Sequence, residues 1–166
     1  MPEFRVAALS VAQQAVEDLR VTRDRFNRST ANLTETLSGF APAPGMMTTA
    51  QHIAHAARVI DWFIEGAFRP DGFDMNFEEQ IEGVLRVDSI SAAREWFEKS
   101  VDAAITFLST QSDGALMEPL PPGPVLGKTP RVGIVREIAD HTAHHRGALA
   151  VYARLNGIAP PDPYGM

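Results

Sequence analysis

No cysteine occurs in the chain. That absence removes disulfides, thiolate metal sites and a cysteine nucleophile together. Any metal must then be held by His, Asp or Glu. Long apolar runs are missing too. No stretch approaches the length of a membrane span, and the start MPEFRVAALS lacks a basic region followed by an apolar segment. A cytoplasmic protein without a membrane partner is expected. Basic clusters are also absent: 15 Lys and Arg are scattered among 21 Asp and Glu, for a net charge of −6. Nothing neutralises a run of phosphates, and basic and aromatic residues do not alternate as a single-strand platform requires. A nucleic-acid partner is not expected. Repeats and strand-like alternation are likewise missing.

What remains is helical. With 166 residues, 45% of them apolar and 22% charged, the chain reads as one globular domain over 1–166. That length buries roughly 70% of the unfolded surface. Four long segments carry helical periodicity. The first runs from about Phe4 into the twenties, with Leu9, Val16, Leu19 and Phe26 near helical spacing. NLTETLSG continues it or forms a short helix of its own, and FAPAPG then stops it. The second begins near Met47-Thr48-Thr49 and ends about Phe68. From Pro70 to Asp88 the chain holds either a short helix or an ordered loop. The third segment, SAAREWFEKSVDAAITFLST, takes Ser91 as N-cap and turns Trp96, Val101, Ile105 and Leu108 inward. PLPPGPVLGKTP cannot be helical and forms a long crossover. Thr129-Pro130 reads as the start of the fourth helix and Gly157 as its stop after Asn156. This pattern predicts an all-α four-helix bundle, with an up-down-down-up course open because the last link is too long for a tight hairpin.

The histidines fall in two places, HTAHHRG on the fourth helix and QHIAH on the second. On a helical wheel of about 100° per residue, Ile134, Ile138, Ala148, Tyr152 and Leu155 form one apolar stripe, with His141 and His145 inside it. Arg136, Ala143, Arg146 and Arg154 lie opposite, and His144 lies at the edge. Two inward histidines one turn apart can reach one ion, which would give both buried rings a partner at once. A lone inward histidine is more often a core residue bonded to a carbonyl, and HxxxH still needs a third ligand. His52 and His55 both sit near the boundary between the apolar and polar arcs of the second helix. Periodicity alone slightly favours His52 as the inward one.

The stretch PGMMTTAQHIAHAARVIDWF, followed far downstream by DHTAHHRGALAVYARLNGIAPP, resembles the DinB/YfiT-like superfamily of bacterial metal-binding four-helix proteins. In helix order and crossover the resemblance covers nearly the whole chain. Its specific residues are few: one histidine in the second helix and an HxxxH pair in the fourth, commonly extended to HxxxHRG. By position, the resemblance implies metal ligands at His141 and His145, leading into Arg146 and Gly147. Members tend to have a bulky residue, then Ser or Thr, with the histidine seven residues further on. Met47-Thr48 anchors that pattern and implies the third ligand at His55, leaving His52 to line the pocket or stand behind a ligand. Many members carry Gln after HRG where this chain has Ala148, so that amide is missing here.

Three neutral imidazoles with open positions form the pattern of a catalytic metal. A divalent ion is implied, zinc or nickel foremost, with iron and manganese also compatible. Characterised relatives include transferases and isomerases that use a low-molecular-weight thiol such as bacillithiol or mycothiol. The resemblance therefore implies a small-molecule substrate and a thiol S-transferase type of activity. Metal-dependent hydrolysis is the competing enzymatic class, and a non-catalytic metal- or ligand-binding bundle is the competing reading outside enzymes. Relatives often pair as homodimers, so a homodimer is expected. Glu137, one turn before His141, is open as an orienting group or base, against a plain surface glutamate. Arg146 points away from the stripe, Trp62 is a candidate pocket wall, and Tyr152 reads as packing.

Overall fold

The computed structural model describes residues 8–165. Among them are six α-helices and no strand: α1 (Val11–Thr30), α2 (Thr49–Phe68), α3 (Phe77–Leu85), α4 (Ile90–Ser109), α5 (Asp113–Met117) and α6 (Ile134–Leu155). The four long ones build the bundle. α2 packs against α4 and α6, and α1 packs against the same two, so α1 and α2 lie across one diagonal and α4 and α6 across the other. Their side chains fix the directions. Arg23 reaches Asp102 and Thr30 meets Arg94, so α1 and α4 are antiparallel. Asp61 holds Trp96 and Phe68 meets Phe107, so α2 and α4 are parallel. His52 meets Tyr152 while His55 meets His141, so α2 and α6 are antiparallel. In chain order the helices run up, down, down, up.

The core follows from composition. Phe26 of α1 stacks on Phe97 of α4 at 4.4 Å between ring centroids, both fully buried. α2 contributes small residues instead: Ala50, Ala54, Ala57 and Ala67 are all completely buried. Small residues let helix axes approach closely. On a different face of α2 from Ala54 and Ala57, the histidine rings of α2 and α6 come into contact.

Several helix ends differ from the sequence expectation. The start near Phe4 lies outside the described residues. α1 begins at Val11 behind a capping box of Ser10 and Gln13, and Leu9 is exposed ahead of it. α4 is capped by Ser89 rather than Ser91, because the buried Ile90 is drawn into the first turn. The Ser91 amide donates instead to Glu35, whose carboxylate also accepts from Ile90. Glu35 sits in the 3-10 turn Glu35–Leu37, so a short helix of its own is what NLTETLSG forms. Thr129-Pro130 opens only a 3-10 turn, Arg131–Gly133, and α6 starts at Ile134. The Thr129 hydroxyl donates to the Leu126 carbonyl and so does not cap the helix. Gly157, at φ +74°, ends α6 as expected. The short α5 has no counterpart in the sequence reading.

The stretch left open between residues 70 and 88 contains α3. Two hydrogen bonds help hold it beside α2: Gln51 donates to the Leu85 carbonyl at 3.0 Å, and the Trp62 indole donates to the Asp74 carbonyl at 2.7 Å. Phe73 fills the space above Gly66, where a Cβ would come within 2.2 Å of the ring. The proline-rich crossover closes on itself, with Leu120 donating to Thr129 and Arg131 to Glu118, each at 2.9 Å.

Candidate metal centre

α2 is fixed at its start by a capping box, in which Thr48 accepts from the Gln51 amide and Gln51 accepts from the Thr48 amide. His52 and His55 follow within the first two turns. On α6 the buried arc is centred between Ile138 and Leu149, with Thr142, His145, Tyr152 and Ala153 also buried. The apolar stripe is therefore rotated from the one read off the sequence. Ala148 is only half-buried, Leu155 is 60% exposed, and Leu149 takes the inward position. This rotation separates the two histidines of the HxxxH pair. His145 is 4% exposed, whereas His141 is half-buried on the arc's edge.

The bundle gathers His55, His141 and His145, each offering a ring nitrogen within 4.8 Å of the other two. The Nε2 atoms of His141 and His145 are 3.2 Å apart. Two nitrogens each about 2.0–2.1 Å from a tetrahedral ion lie roughly 3.3–3.4 Å apart, so the pair already has close to the spacing an ion requires. The Nδ1 atom of His55 is buried without a hydrogen-bond partner. Unpaired buried polar atoms are costly and mark a place where a ligand, water or ion is wanted. The donor set, imidazole alone with no carboxylate, suits zinc and other late first-row divalent ions without choosing among them. The residues fit a metal ion.

Burial pushes the protonation of these rings down, and repulsion from neighbouring imidazoles adds to it. His52 and His141 fall to about 4, and His55 is lowered by the same causes. His145 is depressed furthest, first by its burial and then by repulsion from His141, His55, His52 and His144. All are therefore neutral at pH 7, the state a metal ligand needs.

A cavity of about 570 Å³ opens on this cluster, lined at its inner end by His55 and His141. Trp62 and Phe63 of α2, and Phe77 and Ile81 of α3, make its walls, so Trp62 is a cavity wall as well as a packing residue. Arg58 supplies a cation there, loosely paired with Glu65 at 3.8 Å. The proline-rich crossover contributes nothing to the lining.

The other sequence candidates separate clearly. His144 is exposed, and Glu137 pairs with its neighbour Arg136 at 2.9 Å instead of His141. Arg146 faces the tail, where its guanidinium lies 5.8 Å from the Tyr164 ring. His52 points at α6 as His55 does, with Nδ1 2.8 Å from His145 Nδ1 and Nε2 3.1 Å from the Tyr152 hydroxyl. Tyr152, read from sequence as packing alone, is also part of this polar network. Its hydroxyl is invisible to hydrophobic periodicity, and no spacing rule relates it to a residue a hundred positions away.

Comparison with known proteins agrees with this architecture. The crystal structure of a protein from Streptococcus pneumoniae shares the fold, with a TM-score of 0.68 at 10% identity over 89% of this chain and 92% of that one. No curated protein matches the sequence. The family model describing the DinB superfamily matches residues 18–149. This span runs from the second turn of α1 to the inward Leu149 of α6 and contains all five histidines, and the chain belongs to the DinB superfamily.

Proposed function

We propose that the protein is a divalent-metal-dependent enzyme of the low-molecular-weight-thiol S-transferase type, with His55, His141 and His145 as the metal ligands and zinc or nickel as the ion. The observation that carries this reading is the three-imidazole cluster opening on an apolar cavity. When bound, the ion would supply the positive charge that holds a thiol substrate as thiolate at neutral pH. The chain's own residues do the rest. His145 anchors the centre from the core, while His55 and His141 present it to the cavity. Trp62, Phe63 and Phe77 exclude water and pack the apolar body of an electrophilic substrate, and Arg58 suits an anionic group upon it. Thiolate sulfur attacks the electrophilic carbon; the C–S bond forms as the leaving group departs with its electron pair, and the thiol proton passes to solvent. The same reading implies a cytoplasmic homodimer.

Hydrolysis is the weaker reading, because it needs a carboxylate or similar base to take a proton from water. Among the described residues Glu78, exposed at the start of α3, is the one carboxylate lining the cavity, and Glu137 is engaged by Arg136. The test is metal content of freshly purified protein by mass spectrometry, followed by thiol-transfer assays with electrophilic substrates. We expect about one ion per chain, lost in His55→Ala and in His141→Ala. A protein that takes up no metal after reconstitution would end the proposal, as would a loaded protein inert towards every thiol and electrophile pair while hydrolysing esters or amides.

A further inference from the structure

The hydrogen bonds behind the cluster have a direction that can be deduced atom by atom. The Tyr152 hydroxyl donates to the Met47 carbonyl at 2.9 Å. A phenol has one proton, and it is spent there. The 3.1 Å contact between the Tyr152 oxygen and His52 Nε2 must then be a hydrogen bond donated by His52. A neutral imidazole with its proton on Nε2 has a lone pair on Nδ1. That lone pair faces His145 Nδ1 at 2.8 Å, so His145 is the donor of this bond. The remaining nitrogen of His145, Nε2, is left with a bare lone pair, and it is the atom that faces His141 Nε2.

We propose that Tyr152 and His52 are positioning residues that fix His145 in its Nδ1–H tautomer and so aim the Nε2 lone pair at the three-histidine centre. This rests on the metal reading above only for its purpose; the tautomer follows from the hydrogen bonds alone. The reverse order would have Tyr152 donate to His52, His52 donate to His145, and His145 carry its proton on Nε2, where it blocks the centre. It would also leave the Met47 carbonyl without its protein donor. The two ends on α6 are enclosed, Tyr152 at 2% and His145 at 4% exposed, while His52 and Met47 are half-buried. A backbone carbonyl at the entry to α2 thus decides, through two side chains, which nitrogen of an α6 histidine is free. Outer hydrogen bonds of this kind orient a ligand imidazole and raise its basicity.

The test uses the full chain with three substitutions. Tyr152→Phe removes the hydroxyl and keeps the ring that packs edge-on against Phe40. His52→Ala removes the relay, and His52→Asn restores an acceptor near the position of Nδ1. Nitrogen-15 NMR of the imidazoles in metal-free protein reads the tautomer, and competition with a chromophoric chelator reads zinc affinity. We expect His145 as Nδ1–H in the parent protein and a mixture of tautomers in His52→Ala and Tyr152→Phe. Zinc affinity should fall roughly 10–100-fold in His52→Ala, as for other lost outer partners of a ligand histidine, and recover largely in His52→Asn. Finding His145 as Nε2–H in the parent protein would overturn the proposal. Unchanged tautomer and affinity in both Tyr152→Phe and His52→Ala would do the same. If the parent shows the Nδ1–H tautomer but binds no zinc, the relay stands and the metal enzyme reading falls.

Discussion

His52 and His55 illustrate what a single residue's neighbourhood decides. Both rings leave α2 towards α6, one turn apart, and both make ring contacts with His145. A helical wheel cannot separate residues that share a boundary, because what distinguishes them is the axial height of the partner on another helix. At that height His55 meets His141 at the cavity, while His52 meets Tyr152 deeper towards the end of α6. Phe97 is the second case. Sequence spacing pointed Trp96 inward, yet Trp96 is half-buried with its indole on Asp61, and Phe97 is the fully buried ring. Phe97→Ala should lower stability by about 3–5 kcal/mol, the cost of a cavity in a close-packed core. Urea unfolding measures this, and a loss below about 1 kcal/mol would mean the Phe26 stack is not central to the core.

Elements carry the next level of explanation, and α3 is the informative one. Its nine residues bury only Val84 completely, so periodicity had little to work with and the region stayed open in the sequence reading. Its place is set from outside by the Trp62 and Phe73 contact at 4.8 Å and by the bond from Gln51 to Leu85. Gly66 is the clearance this arrangement needs. Gly66→Ala must push Phe73 off α2, and overpacking of that sort costs about 1–3 kcal/mol. Because Phe73 leads into α3, the variant should also reshape the cavity wall formed by Phe77 and Ile81. Fluorescence of Trp62 would report the change, and an unaltered spectrum with unaltered stability would show that Phe73 moves aside freely. The N-cap misassignment on α4 has a similar origin, since Ser89 and Ser91 are equally good caps locally. The choice belongs to the burial of Ile90 and to Glu35 arriving from the α1–α2 link.

At the scale of the whole molecule, folding keeps four histidines neutral to lower pH than in the unfolded chain. In the unfolded chain they titrate near 6.5, while in the metal-free fold His52 and His141 hold off protonation until about 4. As pH falls between these values the unfolded state takes up protons that the native state refuses. Stability is therefore full above about pH 6.5 and declines as pH drops towards about 4. Urea midpoints of metal-free protein should be lower at about pH 5 than at about pH 7.5, with a smaller drop in a His55→Ala, His141→Ala double variant. Equal drops in parent and variant would assign acid sensitivity to other groups. By itself the sequence determined the helical class, the breakers between helices, the absence of any cysteine side chain and the HxxxH face, because these depend on local periodicity and residue type. The tertiary structure alone decided that the helices run up, down, down, up, that α3 rather than the crossover walls the cavity, and that Met47, Tyr152 and His52 stand behind His145. The last of these relations joins residues about a hundred positions apart, and none is visible to local periodicity because each depends on which helices pack together.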